Sequence, residues 1–173
     1  MASITIASTI EESVDEKINC EDNEEQTVTP FNVCSNNGID YDRLITQFGS
    51  QKISGNLIER IERVTGMKVH KWLRRGLFFS HKDLEKIVEA YEKGEIIYLY
   101  TGRGPSSDSM HIGHLIPFDF TKYLQDAFNA ILVIQMSDDE KFYFKKTNNE
   151  LEYYNNLAYE NAKDIIARGF DLS

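Results

Sequence analysis

Two stretches without a single charge, Ile96-Ile97-Tyr98-Leu99-Tyr100 and Ile131-Leu132-Val133-Ile134-Gln135-Met136, constrain this chain more than anything else in it. Short runs of β-branched, leucine and aromatic residues suit strands, and the lack of charge predicts strands covered on both faces of a sheet. Between them Leu115, Phe118, Tyr123, Leu124, Ala127 and Phe128 recur at helical spacing, so residues 113 to 128 read as a helix. Residues 149 to 168 read as another, closed by Gly169. The order is β-α-β-α, the first part of a Rossmann-like parallel sheet in an α/β fold, with the two strands adjacent and parallel. Two strands are too few for a stable open α/β sheet, so the chain is expected to be cut short at Ser173.

Helices precede the first strand. Tyr41, Leu44, Ile45 and Phe48 form one apolar stripe stopped by Gly49, and Leu57, Ile58, Ile61 and Val64 form a second stopped by Gly66. Ser80 is the expected N-cap of a third, carried by Leu84, Ile87, Val88 and Tyr91 and ended by Gly94. Further back, residues 1 to 29 hold eight acids against Lys17, giving −7 of the chain's net −9. That segment cannot bury enough apolar surface to offset the entropy of ordering and is expected to be a disordered tail. The remainder is nearly neutral, which excludes a domain held to nucleic acid by a broad basic surface. Only Lys68, His70, Lys71, Arg74 and Arg75 make a local basic patch, read as a solvated face. Cys20 and Cys34 have no Cys-x-x-Cys spacing and read as free thiols, and no metal site is expected. No apolar run approaches the ~18 residues of a membrane span, and no basic-then-apolar leader opens the chain, so the expected compartment is the cytoplasm.

The chemistry sits after the first strand, in Thr101-Gly102-Arg103-Gly104-Pro105-Ser106-Ser107 and then His111-Ile112-Gly113-His114. Ligands of open α/β sheets bind at strand carboxyl ends. Glycines there let backbone N–H groups approach phosphate, and a helix N-terminus behind them adds partial positive charge. His111 and His114 fall on one helix face, where their imidazoles can donate to an α-phosphate. Gly113 leaves room between them for a nucleotide base. The loop lacks the Gly-Lys-Ser/Thr of a P-loop and the third glycine of a dinucleotide fingerprint.

His111-Ile112-Gly113-His114 resembles the signature of class I aminoacyl-tRNA synthetases. Leu99 to His114 and Val133-Ile134-Gln135-Met136-Ser137-Asp138-Asp139-Glu140-Lys141 resemble the eukaryotic tryptophanyl-tRNA synthetases in particular, and the likeness extends from Val28 to Ser173. The resemblance implies an ATP-dependent ligase that activates L-tryptophan and transfers it to tRNA(Trp), with ATP and Mg2+ as cofactors and a homodimer as the complete enzyme. It implies ATP contacts from Gly102, Arg103, Gly104, His111, Gly113 and His114, with His111, His114 and Arg103 catalytic. It assigns tryptophan to Tyr100 and Gln135 at the indole N–H and Glu140 at the ammonium. Gln135 in an apolar strand is in any case expected to need a partner for its amide. On this scheme residues 1–29 are the tail, 30–76 a helical extension and 77–173 the first half of the catalytic domain. The family's Lys-Met-Ser loop is nowhere in the sequence, so the chain alone is expected to be inactive. The competing readings are a small nucleotidyltransferase with a His-x-Gly-His site and a binding fragment without catalysis.

Overall fold

A computed structural model describes residues 38–144 and 149–171, together with Ser3–Thr5, Thr27–Val28 and Val33–Cys34. In chain order the elements are β1 (Ser3–Thr5), β2 (Thr27–Val28), β3 (Val33–Cys34), α1 (Tyr41–Gln47), β4 (Gln51–Lys52), α2 (Gly55–Thr65), α3 (Lys71–Arg74), β5 (Ser80–His81), α4 (Leu84–Glu92), β6 (Tyr98–Arg103), α5 (Ile112–Phe128), β7 (Ile131–Met136), α6 (Asp138–Phe144) and α7 (Leu151–Ile166). Among the described residues no helix is long and apolar enough to cross a membrane.

β6 and β7 are neighbouring parallel strands joined through α5, as their sequence pattern requires. The register runs from Tyr98 opposite Ile131 to Arg103 opposite Met136. β6 therefore starts later than the uncharged run and continues through Gly102 and Arg103, because the ladder to β7 holds those residues extended. Leu99 and Thr101 are buried, whereas Tyr100 is 38% exposed and its neighbour Val133 46%. Coverage on both faces is thus not what the structure has. Side chains of α5 and α7, among them Phe120, Leu124 and Ile165, pack against Leu99, Leu132, Ile134 and Met136. Among the described residues the opposite face, with Tyr100, Ile131 and Val133, stays open, since an uncharged strand marks apolar surface without supplying the layer that covers it.

A third strand joins the sheet from a part of the chain read as a disordered tail. Ser3, Ile4 and Thr5 pair in parallel with Tyr98, Leu99 and Tyr100, giving the order β1-β6-β7. β6 would otherwise present an edge of unpaired N–H and C=O groups, and the short β-favouring Ser-Ile-Thr segment satisfies them. Thr27–Val28, at the other end of that tail, pairs antiparallel with Val33–Cys34. The remaining residues of 1–29, with Cys20 and the Cys34 side chain, lie outside those described.

The preceding helices keep their expected stops, with Gly49, Gly66 and Gly94 all at positive φ. Ser80 does not cap α4. It lies in β5, paired with Lys52, and that long-range ladder takes its backbone away from the helix. The Leu84 N–H is instead accepted by His81 Nδ1 at 3.1 Å. Leu57, Ile61, Val69 and Leu73 share one core with Ile87, Val88, Leu99 and Phe128, so the helices before residue 77 pack directly on the sheet layer.

Candidate active site

The end of β6, the loop behind it and the start of α5 converge on one small polar cluster. His111 is the N-cap of α5, extended at φ −81° and ψ 169°, and its Nδ1 accepts the Gly113 N–H at 3.1 Å. A Cβ at position 113 would stand 3.1 Å from His111 Cε1, so the glycine also makes room for the capping ring. One turn on, His114 stacks its ring on that of His111 with centroids 3.6 Å apart. Arg103, the last residue of β6, sends Nη2 to within 3.2 Å of His114 Nδ1 and donates Nε–H to Asn161 Oδ1 at 3.0 Å.

These partners fix the imidazole tautomers. A guanidinium and a backbone N–H can only donate, so Nδ1 of His114 and Nδ1 of His111 are both acceptors. In the neutral rings the protons therefore sit on the two Nε2 atoms, beside the helix N-terminus. The electrostatics point the same way. Arg103 is half-buried, burial pushes its guanidinium below its ordinary value, and among the described residues no carboxylate stands close enough to raise it. An arginine keeps its charge in such a setting, so the site holds a partly desolvated cation without a counter-ion among the described residues.

The loop from Gly104 to Met110 is tied to α7. Asn161 Nδ2 donates to the Ser107 carbonyl at 2.7 Å, and Asp164 accepts the Met110 N–H at 2.9 Å. Sequence reasoning did not find these two residues. The available signal was Asn161 itself, an amide in the buried stripe of Tyr154, Leu157 and Ile165, where a polar group needs a reason.

Tyr100 and Gln135 lie on the open face of the sheet, with Gly102 directly opposite Gln135 in register. A Cβ on Gly102 would touch the Gln135 carbonyl oxygen at 3.4 Å, so the ground between the two groups is kept flat. Gln135 is exposed rather than enclosed among the described residues. Glu140 is also exposed, in the first turn of α6; its own N–H donates to Asp139 Oδ1 at 2.8 Å. Among the described residues no hydrogen bond or ion pair joins its side chain to Tyr100, Gln135 or the Arg103 cluster. Of the basic patch, Lys68, Lys71, Arg74 and Arg75 are exposed, whereas His70 turns inward against Trp72, Phe120 and Tyr123.

No family model matches the chain. It is 59% identical over 151 residues to the cytoplasmic tryptophan–tRNA ligase of Mus musculus, a match covering 86% of this chain and 31% of that protein. The fold superposes on the tryptophanyl-tRNA synthetase of Plasmodium falciparum with a TM-score of 0.74 at 57% identity, over 77% of this chain and 36% of that one. On an Encephalitozoon cuniculi tryptophanyl-tRNA synthetase bound to tryptophan the TM-score is 0.73 at 48% identity, over 78% and 37%. The chain spans about a third of the length of the curated relatives it matches. Over that shared stretch it belongs to the tryptophanyl-tRNA synthetase family.

Proposed function

We propose that this chain carries the ATP and tryptophan half of the active site of a cytoplasmic tryptophan–tRNA ligase. The enzyme activates L-tryptophan to tryptophanyl-adenylate and passes it to tRNA(Trp). The observation that carries the reading is the partly buried Arg103 guanidinium, without a counter-ion among the described residues and held beside two imidazoles whose Nδ1 atoms both act as acceptors. In the first step the tryptophan carboxylate attacks the α-phosphorus of ATP in line, a P–O bond forms, and pyrophosphate leaves. Little covalent help is needed there, so donors meeting the growing charge on the non-bridging oxygens supply most of the catalysis. His111 and His114 are those donors, and Arg103 is the fixed positive charge.

Gly102, Gly104 and Gly113 let the phosphates and the adenosine end approach the backbone. Tyr100 and Gln135 take the indole N–H from the open face, and Glu140 takes the ammonium. The donor set fits a triphosphate better than a bare cation: among the described residues no three His, Cys, Asp or Glu side chains gather as metal ligands. Mg2+ in this reading arrives on the triphosphate oxygens, where it neutralises charge. Residues 30–76 are the helical extension and 77–173 the first half of the catalytic domain, and the complete enzyme is a homodimer. Isothermal titration with ATP, tryptophan and pantetheine phosphate tests the proposal. Binding of ATP and tryptophan supports it, whereas pantetheine phosphate binding without tryptophan would favour a nucleotidyltransferase.

A further inference from the structure

We infer that Asn161 is a positioning residue of the phosphate site, aiming the Arg103 guanidinium and pinning the loop before α5 with one neutral amide. The inference rests on Arg103 as the phosphate-binding cation and adds the group that holds it. Asn161 is 0% exposed in the middle of α7, and both ends of its amide are used. Its Oδ1 accepts Arg103 Nε–H at 3.0 Å, and its Nδ2 donates to the Ser107 carbonyl at 2.7 Å. The orientation of the amide is not ambiguous, since a guanidinium only donates and a carbonyl only accepts. With Nε fixed this way, the rest of the guanidinium fork is directed toward His114, 3.2 Å from Nη2.

Charge explains why the residue is an amide. Aspartate would match its size and accept from Arg103, but it would set a second acceptor against the Ser107 carbonyl and neutralise the guanidinium. α7 does carry an aspartate one turn on, Asp164, and that carboxylate is spent on the Met110 N–H at 2.9 Å, at the far end of the loop. The helix thus places its neutral polar group against the cation and its charged one against a backbone N–H. Arg103 is left oriented and still charged, which an anion-binding site requires.

The test uses the 173-residue chain, with ATP binding followed by calorimetry and the Arg103 Nε–H signal followed by NMR, identified by its loss in Arg103→Lys. Asn161→Ala should strip the protection of that Nε–H from solvent exchange and weaken ATP binding by about 10- to 100-fold, the scale of a charge-assisted contact. Asn161→Asp should keep the Nε–H protected and yet weaken ATP binding by at least as much, because the charge is cancelled. A loss of folding alone would not produce that split, and thermal melting of both variants checks for it. The inference is overturned if Asn161→Asp binds ATP as the wild type does, or if Asn161→Ala leaves the Nε–H protected. An unmodified chain that binds no ATP, or an Arg103→Ala variant that binds it equally well, would sink the phosphate-site reading instead. The exchange data would still decide whether Asn161 holds Arg103.

Discussion

Replacing His114 by its two amide mimics separates the two nitrogens of the ring. Glutamine can place an NH2 group where Nε2–H stands, and asparagine can place an oxygen where Nδ1 stands. In the structure Nδ1 accepts from Arg103 Nη2 at 3.2 Å, so the donor proposed to meet the phosphate is Nε2–H. Asn at position 114 keeps the Arg103 contact but cannot reach the phosphate, and should slow adenylate formation by about 100-fold, the effect of one preorganised donor, or ~2.7 kcal/mol. Gln keeps the donor and loses the arginine contact. Arg103 remains held by Asn161 at 3.0 Å, so this loss should cost no more than about 10-fold. The assay is tryptophan-dependent ATP–pyrophosphate exchange, run on the chain as it stands and on a chimera completed with the remaining two thirds of the mouse relative. Tryptophan affinity should not move in either variant. A faster Asn than Gln enzyme would refute both the tautomer and the donor role.

Gln135→Leu should weaken tryptophan use by about 2 to 3 kcal/mol in that chimera, and because the residue is exposed, melting should be unchanged; an unaltered tryptophan-to-phenylalanine ratio would remove Gln135 from recognition. Stability should fall as pH drops from 7.5 to 5. His70 and His81 are both held below the ordinary 6.5 mainly by burial, and each uses Nδ1 to accept a backbone N–H, from Trp72 and Leu84. Below 6.5 the unfolded chain therefore binds more protons than the folded one, so the neutral-ring contribution is full above that pH and is lost as pH falls toward the depressed values. Replacing both with asparagine, a cap that does not titrate, should flatten the melting-temperature slope; an unchanged slope would place the titration elsewhere. Leu99→Ala, at 1% exposure under α5, should cost about 2 to 5 kcal/mol in urea unfolding, and a loss below 1 would mean that β6 is not a core strand.

Where the sequence was legible, local chemistry and tertiary demand agreed. Ile131–Met136 is β7 to the residue, because its apolar run ends at Ser137, directly before α6. The paired histidines came out on one face because i and i+3 of a helix leave no other arrangement. Where it misled, a distant partner decided. Gly102 and Arg103 look like loop residues and are strand because Gln135 and Met136 lie opposite. Ser80 looks like a cap and pairs with Lys52; Ser3–Thr5 looks like tail and closes an edge of β6. Asn161 showed in the sequence only as an amide in a buried stripe. Nothing in a helical stripe says which side chain 58 residues away will fill its amide.

The most direct test of the central claim is calorimetric titration of the chain with a non-hydrolysable tryptophanyl-adenylate analogue, which on the proposed reading spans the Arg103 cluster and the open sheet face together. The account predicts tighter binding than for ATP or tryptophan alone, weakened separately by Arg103→Ala at the phosphate and by Gln135→Leu at the indole. Equal binding of the phenylalanyl analogue, or indifference to both substitutions, would contradict it.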